Sequence, residues 1–378
     1  MYKAGIVGAG VGGSYLAYLL RRRGIDTIIF DCRFPHEKLC GGGVTHKAMA
    51  DFPLLQGISC PRNEIRTIRI ISTKGRKVTV ELEKPLSIFN REDLDGMLLK
   101  TAQELGAHFR RERVRLVSRE GRCWRIFTDQ AEHKAEILVG ADGAVSRTRR
   151  LLGASEGKPD YFLALECFLG LTGDSVTFQF FPDLKGYLWS FPRIDRTGVG
   201  ILCRHGMGSG INDLKEIVRH YIEMHYPDQV GRISFRGAYV PFFSAEQWRG
   251  QRICSENWAL IGDAASFVDP INGEGIYYAL YSADILASCI AENTVPLYQR
   301  LCMERIGGTL LEASRRYHYV YRDEFIDTMV ALVHKSRTMR GIMSQMMTGD
   351  INYASYRWRF ARYVTGFLSM VGWHERAQ

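Results

Sequence analysis

The chain has 378 residues, 46% of them hydrophobic and 24% charged, so it can bury a globular core and is not a disordered polymer. Its nine cysteines show no CxxC or zinc spacing, which predicts reduced thiols in a cytoplasmic protein and no metal site. The net charge of +9 suits anionic ligands or an anionic membrane surface, but no nucleic-acid motif accompanies it, so no nucleic-acid partner is expected. No apolar run reaches the ~18 residues of a transmembrane helix.

The first 31 residues predict a strand, a turn, a helix and a second strand. The apolar runs Lys3–Val7 and Thr27–Phe30 predict two buried strands. Between them, Gly8–Gly13 predicts a tight turn and Ser14–Arg23 predicts an amphipathic helix. Asp31 closes the second strand at about the distance from the turn that a dinucleotide-binding motif requires.

This turn has the chemistry of a phosphate site. Gly8 permits the turn, Gly10 lets the backbone approach a pyrophosphate, and Gly13 lets the helix pack closely on the strand. The helix N-terminus offers free N–H groups to the phosphates. Asp31 is placed to accept hydrogen bonds from ribose hydroxyls, and together these residues predict a dinucleotide-binding site.

Two hairpins, a helix and a strand follow. Residues 65–82 alternate apolar and polar residues around a Lys-Gly turn, and Val114–Thr128 does so around a Glu-Gly turn. Asn90–Leu105 predicts a helix with Arg91 at its start, where the arginine either meets an anion or lies at the surface. Ala135–Val139 predicts a buried strand that runs into a Gly-Ala-Asp-Gly turn.

The second half of the chain predicts a separate antiparallel sheet and then helices. Tyr161 to Val240 consists mostly of short β segments, interrupted by one helix over Asn212–Tyr226. Trp258–Ile261 predicts one more buried strand, and Gly273–Glu292 predicts a long helix. Beyond Pro296 the sequence predicts basic helices rich in methionine and aromatic residues.

Four glycine-bearing segments stand out along this pattern. Each is weak evidence alone, but all four in this order predict one bound FAD. No second GxGxxG motif is present, so no separate nicotinamide domain is expected, and the electron donor, NAD(P)H or ferredoxin, stays open. The segments are Gly8–Gly13, Cys40–Gly43, Gly140–Gly143, and Gly262–Ala265 running on to Asn272–Gly275.

The glycine segments and one aromatic motif resemble a known family. With them the chain resembles the p-hydroxybenzoate-hydroxylase-type flavoprotein fold and, within it, the geranylgeranyl reductase family, over about residues 1–295. The motifs are KLCGGGV at Lys38–Val44, VGADGAVSRTRR at Val139–Arg150, YLWSFP at Tyr187–Pro192 and GDAASFVDPINGEGI at Gly262–Ile276.

The resemblance implies a fold of the α/β class, α+β overall. We expect a Rossmann-like, three-layer FAD-binding domain, an inserted antiparallel-sheet substrate domain and a helical C-terminal segment. The expected boundaries are 1–62, 88–155 and 250–295 for the FAD-binding domain, 63–87 and 156–249 for the substrate domain, and 296–378 for the C-terminal region.

The resemblance also implies which residues hold the cofactor. The first glycine turn and Asp31 would hold the ADP half, Arg91 would lie near the pyrophosphate, and Asp263 would meet the ribityl chain. The segment after it would pass beside the isoalloxazine ring, with a helix N-terminus directed at the flavin. The implied cofactor-binding residues are Gly8, Gly10, Gly13, Asp31, Gly41, Gly42, Arg91, Asp142, Gly143, Gly262, Asp263, Gly273, Glu274 and Gly275.

Three residues are expected to take part in catalysis: Cys40, Tyr187 and Trp189. Tyr187, Trp189, Phe191 and Pro192 would line an apolar substrate channel facing the flavin, although aromatic residues at this spacing are also typical of a sheet core. Cys40 would donate a proton, tune the flavin or simply pack in its glycine loop.

The expected function is an FAD-dependent reductase that saturates C=C bonds of an isoprenoid lipid or prenylated small molecule by hydride transfer from reduced flavin. An FAD-dependent monooxygenase on the same fold is the alternative. A non-catalytic prenyl-binding protein is a more remote one, since intact Gly-Asp-Ala-Ala and Asn-Gly-Glu-Gly segments argue against it.

The end of the chain has two interpretations. Residues 356–376 combine aromatic side chains with arginines, which is typical of a helix lying at a membrane interface but also of a terminal helix covering a core. The first interpretation predicts a cytoplasmic protein with a peripheral membrane contact. Upstream, one helical face is either core or a lipid-facing wall, and it comprises Met339, Ile342, Met343, Met346 and Met347.

Overall fold

A computed structural model of the chain describes residues 1–154, 160–206 and 210–350. The strands are β1 Tyr2–Val7, β2 Thr27–Phe30, β3 Gly43–Val44, β4 Arg62–Ile71, β5 Lys77–Phe89, β6 His108–Arg110, β7 Val114–Glu120, β8 Cys123–Thr128, β9 Glu132–Gly140, β10 Tyr161–Leu169, β11 Ser175–Gln179, β12 Gly186–Pro192, β13 Thr197–Arg204, β14 Arg236–Pro241 and β15 Trp258–Leu260. The helices are α1 Val11–Arg22, α2 His46–Asp51, α3 Leu54–Gly57, α4 Arg91–Glu104, α5 Arg147–Leu151, α6 Ile211–His225, α7 Ala245–Arg249, α8 Ile276–Ala291, α9 Tyr298–Cys302, α10 Gly308–Val320, α11 Asp323–Lys335 and α12 Arg337–Met347.

The first sheet brings the predicted cofactor segments to one edge. Its strands run in the order β6-β2-β1-β9-β8-β7, with β15 also pairing along β9. β1, β2, β9 and β15 are mutually parallel, so their carboxyl ends lie at the same edge. In open α/β sheets, ligands bind in the crevice outside those ends. The segments that follow these four strands are the glycine turn, Asp31, Gly140–Gly143 and Gly262–Ala265.

The second sheet has eight strands in the order β14-β10-β13-β12-β11-β4-β5-β3. Most neighbours are antiparallel, as expected, but β11 and β4 are parallel. This one pair departs from the expected antiparallel arrangement, because the two strands come from stretches separated by most of the first sheet and are joined by no hairpin. At the edge of the sheet formed by β3, Gly43 pairs with Ile88 of β5, which attaches the second glycine segment directly to this sheet.

Both faces of the second sheet are covered. Helix α6 packs on one face through Leu214, Val218 and Ile222. Helices α10, α11 and α12 cover the other face, on which Tyr187 and Trp189 also lie. The proposed domain boundaries remain a prediction, and both β3 and the end of β5 lie in stretches that the sequence analysis assigned to the FAD-binding domain.

The secondary structure confirms both hairpins, the helix over Asn212–Tyr226 to within a residue, and the strand Thr27–Phe30. The helix predicted over Gly273–Glu292 is corrected at its start, since α8 begins at Ile276. Gly273 has a φ of +72° and lies in a turn held by Asp269, which accepts the N–H groups of Ile271 and Asn272.

Among the described residues, no helix is long and apolar enough to cross a membrane. Residues 356–376 lie outside the described residues.

Candidate active site

The turn after β1 is shaped as a phosphate site. A Cβ atom on Gly13 would lie 2.0 Å from the Gly8 carbonyl oxygen, and one on Gly8 would lie 2.3 Å from the Ala141 carbonyl oxygen. Side chains at either position would therefore collide with backbone. Helix α1 begins here with no side-chain cap and no acidic residue in its first turn. Its free N–H groups are left for an anion, which fits a pyrophosphate.

Asp31 and Arg91 lie beside this turn, each with protein partners. One carboxylate oxygen of Asp31 accepts the Ala9 N–H at 3.1 Å, which holds the acid against the glycine turn. Arg91 is buried and forms a two-point ion pair with Asp95, at 3.1 and 2.9 Å. A Cβ on Gly10 would lie 3.7 Å from the Asp95 carboxylate and meet no other atom within 4 Å, so the pair lies next to open space above Gly10.

The segment after β15 places Asp263 against the start of α8. Asp263 pairs with Lys38 at 2.7 Å, and its other carboxylate oxygen would lie 3.1 Å from a Cβ on Gly275. Gly262 has a φ of +56° and packs against Ala279 of α8, a close approach that favours glycine. Helix α8 begins directly after Gly275 with no side-chain cap, so its positive end lies next to Asp263.

Residues 37–43, here named the Cys40 loop, lie between the two sheets. Gly42 has a φ of +78°, and a Cβ there would lie 2.1 Å from the Phe89 carbonyl oxygen, so this position requires glycine. The Cys40 sulfur accepts the Gly42 N–H at 3.4 Å. Burial would lower the pKa of Arg91, but Asp95 and the Cys40 sulfur raise it above its ordinary value. A Cβ on Gly41 would collide with the Phe191 ring, so the loop packs directly on β12.

The aromatic motif of β12 lies on one face of the second sheet. Tyr187, Trp189 and Phe191 alternate along the strand and share the cluster covered by the C-terminal helices. The Tyr187 hydroxyl donates to the Asn272 carbonyl oxygen at 2.5 Å and would lie 3.1 Å from a Cβ on Gly273. The expected channel residues thus meet the Asn-Gly-Glu-Gly segment directly.

Trp189 and Pro192 lie on opposite faces of β12. The Trp189 ring lies over Gly200, where a Cβ would be 2.2 Å from the ring. Its indole N–H is buried and has no hydrogen-bond partner within the described part of the chain. Pro192 follows Phe191 and therefore points to the opposite face of the strand, near Gly173. The structure brings the three aromatic residues together and places Pro192 apart from them.

Burial perturbs two titratable groups in this region. It raises the pKa of Tyr187 well above its ordinary value, with Asp269 and Cys40 adding to the effect, so the hydroxyl keeps its proton. Burial also raises the pKa of Glu274 to about 7, and the charge of Asp269 adds to it. Thr45, next to the Cys40 loop, donates to the Glu274 carboxylate at 3.4 Å. Glu274 therefore connects the segment before α8 with the residues that follow the loop.

Asp142 is placed at the correct edge but its carboxylate is used within its own segment. It accepts hydrogen bonds from the Ser146 hydroxyl at 2.5 Å and from the Thr148 N–H at 2.9 Å, which holds the start of α5. Gly143 has a φ of +82°. The contribution of this segment to a cofactor site would thus come from backbone groups, not from the Asp142 carboxylate.

Sequence reasoning missed four charged residues of the site: Lys38, Asp95, Glu37 and Arg193. The spacing of Arg91 and Asp95, four residues apart on a predicted helix, was a readable sign of an ion pair. Lys38 lies inside a motif that was noted, but nothing local links it to Asp263, 225 residues away. Glu37 and Arg193 are likewise separated by 156 residues and had no local signature.

Comparison with known proteins agrees with this geometry. Residues 1–168 match the family described as FAD binding domain. A geranylgeranyl diphosphate reductase from Rhodobacter capsulatus is 29% identical over 385 residues, covering 92% of this chain and 93% of that protein. A menaquinone reductase from Mycobacterium tuberculosis is 27% identical over 381 residues, covering 91% of this chain and 91% of that protein. The crystal structure of a geranylgeranyl bacteriochlorophyll reductase-like protein from Thermoplasma acidophilum superposes with a TM-score of 0.80 at 21% identity, over 94% of this chain and 97% of that one.

The fold, the uncapped helix start and the glycine-lined edge define the class: the chain is an FAD-dependent oxidoreductase. The glycines at which any Cβ would collide with backbone, and the open space above Gly10, fit the pyrophosphate of FAD. Within that class, relatives that align with most of this chain are named geranylgeranyl diphosphate reductase and menaquinone reductase.

Proposed function

We propose that this protein reduces C=C bonds in the prenyl chain of an isoprenoid lipid. The observation that carries the proposal is the contact between the aromatic face of β12 and the segment before α8, where Tyr187 bonds to Asn272 beside Gly273. This contact places apolar rings next to the segment proposed to flank the flavin. Relatives that align over nearly the whole chain carry reductase names with prenylated substrates, which supports the same conclusion.

FAD, when bound and reduced, supplies the hydride. In the proposed site the glycine turn and α1 would hold the pyrophosphate, Asp31 the ribose, and Asp263 the ribityl chain. Arg91, paired with Asp95 next to Gly10, would lie near the phosphates. The uncapped start of α8 would offer positive N–H groups to the flavin and so favour its anionic reduced form.

The remaining residues orient the substrate and supply a proton. Trp189, Tyr187 and Phe191 form a dry apolar wall, which matters because an isolated alkene is a poor hydride acceptor and depends on positioning. Tyr187 keeps its proton and fixes Asn272, so its role is orientation. Cys40 is the proposed proton donor: hydride adds to one alkene carbon, the thiol proton adds to its neighbour, and water restores the thiol.

The experiment that tests this function is anaerobic incubation of dithionite-reduced protein with farnesyl, geranylgeranyl and menaquinone lipids, analysed by mass spectrometry. A gain of two hydrogens per double bond is expected. Trp189→Ala should retain FAD and lose turnover, since its ring lies on the sheet face and not in the phosphate turn. Oxygen consumption in step with a hydroxylated product would instead identify a monooxygenase.

A further inference from the structure

A buried cluster of charged side chains joins the Cys40 loop to the second sheet. Glu37 comes from the loop and Glu166 from β10, while Arg193 and Arg196 lie in the connection between β12 and β13 and Arg236 lies on β14. The side chains of Arg193 and Glu166 are both 0% exposed. Ion pairs this deep are costly unless every partner is in place, so the cluster has a defined geometry.

Arg193 contacts the loop and the sheet with one guanidinium. One of its terminal nitrogens pairs with the Glu37 carboxylate, and the other donates to the Cys40 carbonyl oxygen at 2.5 Å. That second nitrogen also lies 3.5 Å from Glu166. The guanidinium stacks 4.6 Å above the ring of Phe168, which fixes its plane.

Glu37 extends the cluster to the start of α4. Its two carboxylate oxygens accept the N–H groups of Arg91 and Glu92, each at 3.1 Å. A carboxylate here acts as a helix cap supplied from another segment and is favoured by the positive end of the helix. Arg196 also pairs with Glu37, at 3.1 Å. The loop is therefore tied to the helix that carries Arg91.

Arg236 supports the same loop from β14. It donates to the Glu37 carbonyl oxygen at 2.9 Å and pairs with Glu166 at 3.2 Å. Two of the cluster's arginines thus bind main-chain oxygens of the Cys40 loop in addition to carboxylates. A network that served charge balance alone would need no bonds to the loop backbone.

We infer that Arg193 is a positioning residue for Cys40, because its guanidinium, held between Glu37 and Glu166, binds the Cys40 carbonyl and sets where the thiol lies at the junction of the two sheets. The consequence for catalysis rests on the proposed function, in which Cys40 donates the proton. The position of the thiol itself does not depend on that function.

The test measures the reactivity of Cys40 without any substrate. FAD-loaded protein carrying Cys32→Ser and Cys123→Ser, which removes the two other half-exposed thiols of the described residues, is treated with iodoacetamide, and alkylation of the Cys40 peptide is followed by mass spectrometry. Arg193→Lys keeps a positive charge beside Glu37 and Glu166. Its single ammonium group cannot keep the contacts with Glu37, Glu166 and the Cys40 carbonyl oxygen at the same time. The pair Arg193→Met with Glu166→Gln removes a buried charge of each sign together.

In both variants we expect Cys40 to react about tenfold faster, the factor that corresponds to ~1.4 kcal/mol, since a charge-assisted bond to the loop is lost. The absorption band of the bound flavin should shift in the same variants. Arg204→Met is the control, because Arg204, a mostly buried arginine, likewise stacks on a ring, Phe242 at 4.1 Å, and pairs with an acid, Asp160 at 2.5 Å, but does not touch the loop.

Cys40 alkylation in Arg193→Lys at the rate of the Arg204→Met control would overturn the inference. This outcome is distinguishable from a failure of the proposed function. A protein that reduces no prenyl lipid can still show the change in thiol reactivity, and an active reductase can fail to show it.

Discussion

At the scale of single residues, the site depends on carboxylates whose partners decide their charge and position. Asp263 is paired with Lys38, Asp95 is paired with Arg91, and Glu166 lies between two arginines. Burial removes the water that would otherwise screen the charges of Asp95 and Glu166, whereas the Asp263–Lys38 pair is partly exposed.

Asp263→Ala should bind FAD at least about tenfold more weakly, because it removes the partly buried carboxylate that is proposed to accept hydrogen bonds from the ribityl chain. The flavin-to-protein ratio after gel filtration and the Kd from flavin fluorescence measure the loss. Lys38→Met is the control, since it breaks the ion pair but keeps the acceptor, and it should retain most of the flavin. Normal flavin content in Asp263→Ala would refute the assignment of this segment.

Glu166 should give the protein a pH-dependent stability. Burial raises its pKa to about 7, although Arg193 and Arg236 oppose the shift and the charge of Glu37 adds to it. Because the folded state then holds a proton that the unfolded state releases at its ordinary pKa, the free energy of unfolding falls as pH rises from about 4.5 to about 7 and is level above that.

Relative to Glu166→Gln, which cannot titrate, the wild-type free energy of unfolding should fall by roughly 3 kcal/mol across this window. Urea denaturation of both proteins at pH 5, 6, 7 and 8 measures the difference. Parallel curves for wild type and variant would show that Glu166 stays ionised between its arginines.

At the scale of elements, glycine segments let main chains approach where side chains would block them. Gly42 and Gly75 both have positive φ angles, +78° and +75°, but differ in surroundings. A Cβ on Gly42 would meet the Phe89 carbonyl, whereas a Cβ on Gly75 would meet nothing within 4 Å. Substitutions at these two positions therefore distinguish the free-energy cost of the left-handed backbone conformation from the free-energy cost of the steric collision.

Gly42→Ala should reduce the free energy of unfolding by about 2–4 kcal/mol, since it adds a collision to the left-handed conformation. Gly75→Ala should cost only about 1–2 kcal/mol, the conformational part alone. Denaturant midpoints compare the two variants. Equal losses would mean that the Cys40 loop moves freely away from β5.

Helix α12 presents a methionine-rich side to the face of the second sheet that carries Tyr187 and Trp189, and the strand it mainly contacts is β5. Met339 and Ile342 are buried in the shared cluster, and Met343, Met346 and Met347 pack against it partly buried. Of the two interpretations offered by the sequence, the packing therefore makes this face part of the core cluster that contains Tyr187 and Trp189. Flexible methionines here can adapt to a bound prenyl tail.

Under the proposed function, Met343→Phe together with Met346→Phe should narrow this region and favour shorter prenyl chains. We expect the ratio of kcat/KM for farnesyl over geranylgeranyl substrates to rise about tenfold, the size typical of steric selection in apolar pockets. Met224→Phe, at an exposed position on α6, is the control. An unchanged ratio of kcat/KM values would show that α12 does not line the substrate channel.

At the scale of the whole molecule, two sheets meet along the Cys40 loop, and the C-terminal helices close the aromatic face of the second. Tyr321, between α10 and α11, donates to the Ile271 carbonyl oxygen at 2.5 Å, so these helices reach the segment before α8. Glu83 on β5 donates its N–H to Ser344 on α12 at 3.1 Å. The last described helix ends at Met347, so truncation after Gly349 leaves every described element intact.

The full chain should bind anionic vesicles at low salt, and truncation after Gly349 should abolish this binding, if residues 356–376 lie at a membrane interface. Co-sedimentation with phosphatidylglycerol vesicles measures it, and binding should weaken as salt screens the arginines. Neutral phosphatidylcholine vesicles are the control. Absence of binding by the full chain at low salt would leave only a terminal helix as the interpretation.

The sequence by itself determined the local parts of this protein. The glycine turn with its helix, the strand before Asp31 and both hairpins follow from residues close to one another in the chain, because turn conformation and strand alternation are set by near neighbours. The order of the glycine segments was sufficient to identify the class, since parallel strands bring their carboxyl ends to one edge.

Only the tertiary structure decided how these parts meet. The parallel pairing of β4 with β11 follows from packing that no local pattern encodes. The cluster around Arg193 joins residues up to 199 positions apart. Buried charges form pairs with whatever the fold places within a few ångströms, so the residues that hold Cys40 in place appear only when the two sheets are brought together.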